Sequence, residues 1–213
     1  MSDDFPEQKF GIEAKSSEVS DGGHIPSKTE EQVESEIPEQ DLYHPKSFIT
    51  KWIFCQDAKV IGIQYSITAI SIGLLALVLS WLMRLQLGFP EVFSFLGPAG
   101  YYQFVTMHGM IMVVYLLTAL FLGGFGNFLI PLMVGSRDMV FPYLNMLSFW
   151  MYFIAVVVLV ASFFVPGGPT GAGWTLYPPQ AITSGTPGSE SGIVLMLLSL
   201  SLFVIGFTMG GLN

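Results

Sequence analysis

From Val60 to Met83 the chain reads VIGIQYSITAISIGLLALVLSWLM, 24 residues without a formal charge. An α-helix rises 1.5 Å per residue, so about 20 apolar residues cross the hydrocarbon core of a bilayer. Three further runs of the same kind follow, at roughly 104–133, 144–165 and 191–213. The second is long enough to span with tilt or overhang. Four such stretches in succession have no soluble explanation. The predicted fold class is all-α integral membrane, with four transmembrane helices.

Charge divides the chain in two. Of the 16 acidic residues, 12 fall before residue 42, and only Asp57, Glu91, Asp138 and Glu190 lie beyond it. The formal charge of −8 therefore describes a tail and not an acidic working surface. Residues 1–45 are read as a disordered acidic cytoplasmic tail, because so few apolar side chains cannot offset the entropy of ordering the backbone. That segment lacks the basic start, apolar centre and small-residue cleavage site of a signal peptide. Residues 46–213 form the four-span part. One cysteine, Cys55, excludes an internal disulfide and a cysteine-only zinc site.

Basic residues set the direction of the spans. Lys46, Lys51, Lys59 and Arg137 flank one set of span ends, and Arg84 alone lies at the other. The positive-inside bias then places the N-terminus in the cytoplasm, with spans running outward, inward, outward and inward. His108 comes out near the outer surface, about 7 Å down the second span. Asn127, Asn145 and Asn213 all come out on the cytoplasmic half, near the loop that carries Asp138.

His108 stands in FVTMHGMIMVVYLL, with no charged residue between Glu91 and Arg137. A lone imidazole on an apolar helix is more often a hydrogen-bonded packing residue than a ligand. Uncharged amides cost less than carboxylates in hydrocarbon and can hold water, so three of them below a carboxylate suggest a hydrated path. They serve equally well as helix caps or as bonds between helices. GGFGN at 123–127 lets a backbone or a flat ligand approach closely.

Taken together, HGMIM, GGFGN, PLMVGSRDMVFPYLN, MLSFW and GAGWTLYPP resemble the first third of the catalytic subunit of heme–copper terminal oxidases. The N-terminal extension and the KVIGIQY start look closest to proteobacterial cytochrome c oxidases, a resemblance that implies a bacterial inner (plasma) membrane. The resemblance covers about 46–213 and implies four transmembrane helices of a larger heme–copper oxidase bundle of about twelve spanning helices. It implies that His108 is an axial ligand of low-spin heme iron, taken as heme a, with Gly109 leaving room beside it. By the same resemblance Arg84 holds a polar heme substituent and Trp174 lies by a propionate, with Tyr177 near it. Asp138 matches the mouth of the proton-uptake D-channel, Asn127, Asn145 and Asn213 its lower lining, and Tyr65 a lining tyrosine. The ligands of the high-spin heme and copper B are expected elsewhere in the complete subunit, and this chain alone is not expected to reduce oxygen. Implied partners are the rest of subunit I, subunits II and III, cytochrome c and the lipid bilayer, with no nucleic acid.

The chain departs from the family pattern in several places. Gly206 and Phe207 replace a serine pair of the upper channel, and Ala58 replaces a surface histidine. Gln86 stands for a glutamate that binds a structural cation, and a neutral amide is a poorer ligand for one. A quinol oxidase is the nearest alternative, but Leu75, Leu79, Gly100 and Gln103 occupy its quinol-site positions and keep only the glutamine. A nitric oxide reductase would leave Asp138 and its asparagines without a task. A non-enzymatic membrane module would explain the spans without heme.

Overall fold

The computed structural model describes residues 52–182 and 186–213. The expectation of a disordered tail falls outside these residues. Five α-helices occur among them: α1 (Ala58–Gly88), α2 (Pro98–Met110), α3 (Asn127–Val134), α4 (Pro142–Ala161) and α5 (Glu190–Gly210). A π-helical stretch, Ile111–Gly126, joins α2 to α3, so that Pro98–Val134 is one continuous 37-residue helix. The four long helices have mean hydropathies of 2.0–2.4 over 18-residue windows, enough to cross a bilayer.

The ends of these helices follow from local chemistry. Asp57 Oδ1 accepts from Lys59 N at 2.9 Å and caps α1. Pro98 and Pro142 open α2 and α4, where a missing N–H costs nothing. Gly135, at φ +76°, closes α3 in the left-handed conformation that a side chain resists. The 16-residue π stretch is far longer than the single-turn bulges in which this winding usually occurs. Thr118 Oγ1 follows it, donating to the carbonyl five residues back, Val113, at 3.2 Å.

Closest packing pairs α4 with α5 and α1 with the π stretch. Lipid tails are as apolar as leucine, so helices associate in a bilayer through close fit and not through hydrophobic drive. Small residues supply the fit here. A Cβ on Gly62 would lie 2.8 Å from the Gly124 carbonyl oxygen, and one on Gly123 would lie 2.5 Å from Tyr65 Cδ1. GGFGN therefore serves the approach of α1 and lets the Tyr65 ring lie against the second span. The buried stripe of α1 (Ile61, Tyr65, Ala69, Ile72, Ala76, Leu79) meets Met107, Met110, Ile111 and Tyr115 at the centre. Its spacings of three and four residues keep it on one helix face.

Two helices extend beyond the apolar runs that mark them in the sequence. The second span begins at Pro98 and not near Phe104, so His108 lies ten residues into it, roughly 15 Å along the axis. Likewise α1 continues past Met83 to Gly88, which carries Arg84 on the helix itself.

Candidate functional site

Two clusters of polar groups sit at opposite ends of the bundle. At the first, His108 is half-buried, and its Nδ1 lies 2.9 Å from the Ala76 carbonyl oxygen. A carbonyl only accepts, so Nδ1 carries the proton and Nε2 keeps its lone pair for another partner. His108 lines a cavity of about 330 Å³ with Ser80, Met83, Arg84, Leu87, Tyr101 and Val105. An oriented imidazole with a free nitrogen, facing a largely apolar hollow with one guanidinium, is a donor set that suits a heme iron.

The loop between α4 and α5 closes this end. Gly173 N donates to Thr106 Oγ1 at 2.9 Å, and Gln103 Nε2 donates to the Gly167 carbonyl at 2.6 Å. Trp174 is thereby laid against the second span. A Cβ on Gly109 would meet Trp174 Cδ1 at 3.0 Å, so the space beside this glycine is taken by the indole. Tyr177 is 74 % exposed and is not brought to the cluster. Gln86 uses both ends of its amide on Leu96, donating to its carbonyl at 2.6 Å and accepting from its N–H at 3.1 Å.

At the other end Asp138 sits half-buried in the loop between α3 and α4. Its Oδ1 accepts from Ala58 N at 3.1 Å and Met139 N at 2.8 Å, so it supplies a second cap to α1. Just inside, Asn145 Nδ2 donates to Asn127 Oδ1 at 2.7 Å, and Asn127 Nδ2 donates to the Gly123 carbonyl at 2.7 Å. Asn213 Oδ1 accepts from Phe141 N at 2.7 Å. Its Nδ2 is buried without a protein partner.

That amide lines a cavity of about 230 Å³ shared by Tyr65, Asn127, Met139, Ser148 and Phe207. A hollow of this size holds several waters, and a buried N–H facing it has water as its natural acceptor. Ser148 was not singled out from the sequence, where a serine in MLSFW carries no special signal. It donates to the Asn145 carbonyl at 2.7 Å and lies 3.0 Å from Tyr65 Oη. With its own proton committed, Ser148 can only accept from Tyr65. The cluster thus joins α1, α3, α4 and the end of α5 around a space that can hold water.

Comparison with known proteins shows the family. Residues 60–213 match the family described as cytochrome C and quinol oxidase polypeptide I. The chain is 75% identical over 179 residues to the alternative cytochrome c oxidase subunit 1 of Bradyrhizobium diazoefficiens, covering 84% of this chain and 30% of that relative. It is 40% identical over 167 residues to the heme-copper oxidase subunit I+III of Aeropyrum pernix, covering 78% of this chain and 20% of that protein. The quinol oxidase subunit 1 of Bacillus subtilis is 40% identical over 164 residues, with 77% and 24% covered. The chain spans less than a third of the length of each of these relatives.

Proposed function

The chain belongs to the cytochrome c and quinol oxidase polypeptide I family, and on that premise we propose that its spans work in a respiratory terminal oxidase. The reaction assigned is oxidation of cytochrome c with reduction of oxygen to water and proton pumping. Its remaining parts would be the rest of subunit I, with subunits II and III. The high-spin heme and copper B belong, in this reading, to helices outside the chain.

The observation that carries the reading is His108, whose Nδ1–H is held by the Ala76 carbonyl while Nε2 remains available beside Arg84. Bound there, a low-spin heme, heme a in this reading, supplies reversible one-electron transfer. The chain's own residues do the positioning. Ala76 fixes the ring and its tautomer, Arg84 offers a fork of donors to a polar substituent, and Trp174 offers an indole N–H from the docked loop.

At the Asp138 side the work is proton uptake from the cytoplasm. Oδ1 is committed to two main-chain N–H groups, which leaves Oδ2 to exchange protons with water. Asn127, Asn145 and Asn213 then hold water without trapping charge, and Tyr65 lines the inner end of the space.

Replacing His108 by alanine tests the reading in the assembled oxidase. The low-spin band of the reduced-minus-oxidised spectrum should vanish while the helical content persists. A full low-spin spectrum in that variant would remove His108 from the heme.

A quinol-oxidising reading draws on the 40% identity to the Bacillus subtilis protein. Against it, the amide N–H of Gln103 is used to hold the outer loop to the second span. The 75% identity to a cytochrome c oxidase subunit favours cytochrome c.

A further inference from the structure

The water-sized space at the Asp138 side ends abruptly, and the side chain that ends it is aromatic. Phe207 lines the cavity and stacks on Phe203, with ring centroids 4.4 Å apart. Its edge contacts reach Tyr65 at 5.9 Å and Tyr152 at 6.0 Å. Phe203 in turn packs on Tyr115 at 5.0 Å and on Tyr152 at 6.0 Å. Tyr152 and Ala155 lie about 6 and 10 Å beyond Ser148 along α4, so this aromatic layer sits above the cavity.

Hydroxyl groups do cross the layer, but their protons lead nowhere. Tyr65 donates to Ser148, whose proton rests on the Asn145 carbonyl. Tyr152 donates to the Tyr115 carbonyl at 3.0 Å. Tyr115 lies 2.5 Å from Ser199 Oγ, whose proton rests on the Ala155 carbonyl at 2.5 Å. Among the described residues, each of these chains of O–H groups therefore stops at a main-chain carbonyl, which accepts a hydrogen bond but has no proton of its own to pass on. A proton leaving the cavity needs water in the layer, and an apolar constriction excludes water until a side chain moves.

We propose that Phe207, stacked on Phe203, is a hydrophobic valve that closes the inner end of the Asp138-side cavity. The ring borders the cavity and so has a space to swing into. When it swings, waters bridge the layer and one proton moves inward along them, replaced by one taken up at Asp138. With the ring back on Phe203 the layer is dry, and a proton already delivered cannot return. This rests on the proton-uptake reading of Asp138.

The test uses the complete oxidase in sealed vesicles, read by oxygen consumption, proton uptake kinetics and protons released per electron. Phe207→Ser should wet the layer, so that protons released per electron fall at least twofold while oxygen is still consumed. Phe207→Trp should hold the layer shut and slow proton uptake about tenfold; it carries the test if the serine variant fails to assemble. Tyr115→Phe should leave both readouts at wild-type values, since its hydroxyl leads only to Ser199 and a carbonyl. Wild-type release in Phe207→Ser with wild-type uptake in Phe207→Trp would overturn the valve. So would a Tyr115→Phe variant as slow as Phe207→Trp, because the hydroxyls would then be the route. Asp138→Asn separates the two levels of inference. If it blocks uptake while the Phe207 variants behave as wild type, the valve alone fails; if it changes nothing, the uptake reading fails first.

Discussion

Adding one methyl group at Gly123 should disturb the Asp138-side cluster without touching any of its polar atoms. A Cβ built there lies 2.5, 2.7 and 2.9 Å from Cδ1, Cγ and Cε1 of Tyr65. Carbon atoms pack best at about 3.5–4.0 Å, so the ring must retreat by about 1 Å. Phe149 and Tyr152 stand on it with centroids at 5.2 Å each, so it can retreat only toward the cavity, out of its ring contacts. Overpacking of this kind costs about 1–3 kcal/mol. Stretching the 3.0 Å Tyr65–Ser148 bond adds about 0.5–1.5 kcal/mol. We therefore expect Gly123→Ala to lose about 2–4 kcal/mol, read as faster thermal loss of the assembled complex. The neighbouring Gly124→Ala is the control. Its Cβ meets Ser66 Oγ at 2.4 Å, and a serine can rotate away for the loss of one bond to the Gly62 carbonyl, about 1 kcal/mol. In a Tyr65→Ala background the Gly123→Ala cost should nearly disappear. Equal costs for the two glycines, or an unchanged cost without the ring, would refute the steric account.

Three further outcomes are expected beside the loss of the low-spin band in His108→Ala. Asp138→Asn keeps a capping side chain and should fold normally but turn over far more slowly in oxygen consumption assays, whereas Asp138→Ala should also lose about 1 kcal/mol of stability with the cap. Asn145→Asp replaces the amide that donates to Asn127 by a group that cannot donate; turnover should persist while protons released per electron in vesicles fall or vanish. Gln103→Leu removes the bond to the Gly167 carbonyl, so amide exchange across 166–182 should accelerate with the low-spin spectrum retained.

Absence of charge made the spans legible. A window free of Asp, Glu, Lys and Arg is a strong signal in a chain otherwise rich in them, and all four helices lie where those windows fall. Their ends were less legible, because a helix does not stop at a charge. α1 runs through Lys59 and Arg84, and caps from Asp57 and from Asp138, 80 residues away, set its start. The π winding of Ile111–Gly126 leaves no mark in a sequence of ordinary apolar residues. Asn127 and Asn145 could be placed near one another from span direction alone, since amides in hydrocarbon seek each other. Ser148 could not, because a serine in an apolar helix more often bonds its own backbone. Gly206, where the resemblance implies a serine, also acquires a reason only in three dimensions. A Cβ there would lie 3.1 Å from the Ser148 carbonyl oxygen, where α5 crosses α4.

The double attachment of Asp138 narrows what evolution or a designer could write at that position. Holding the Ala58 N–H requires a short side chain with an acceptor, a condition that Asp, Asn, Ser and Thr meet. The proposed uptake of protons there requires an ionisable carboxylate, a condition that Asp and Glu meet. Glutamate carries its carboxylate one methylene farther out, away from the helix end it would have to reach. Only aspartate belongs to both sets, so position 138 tolerates exchange for one purpose or the other and never for both.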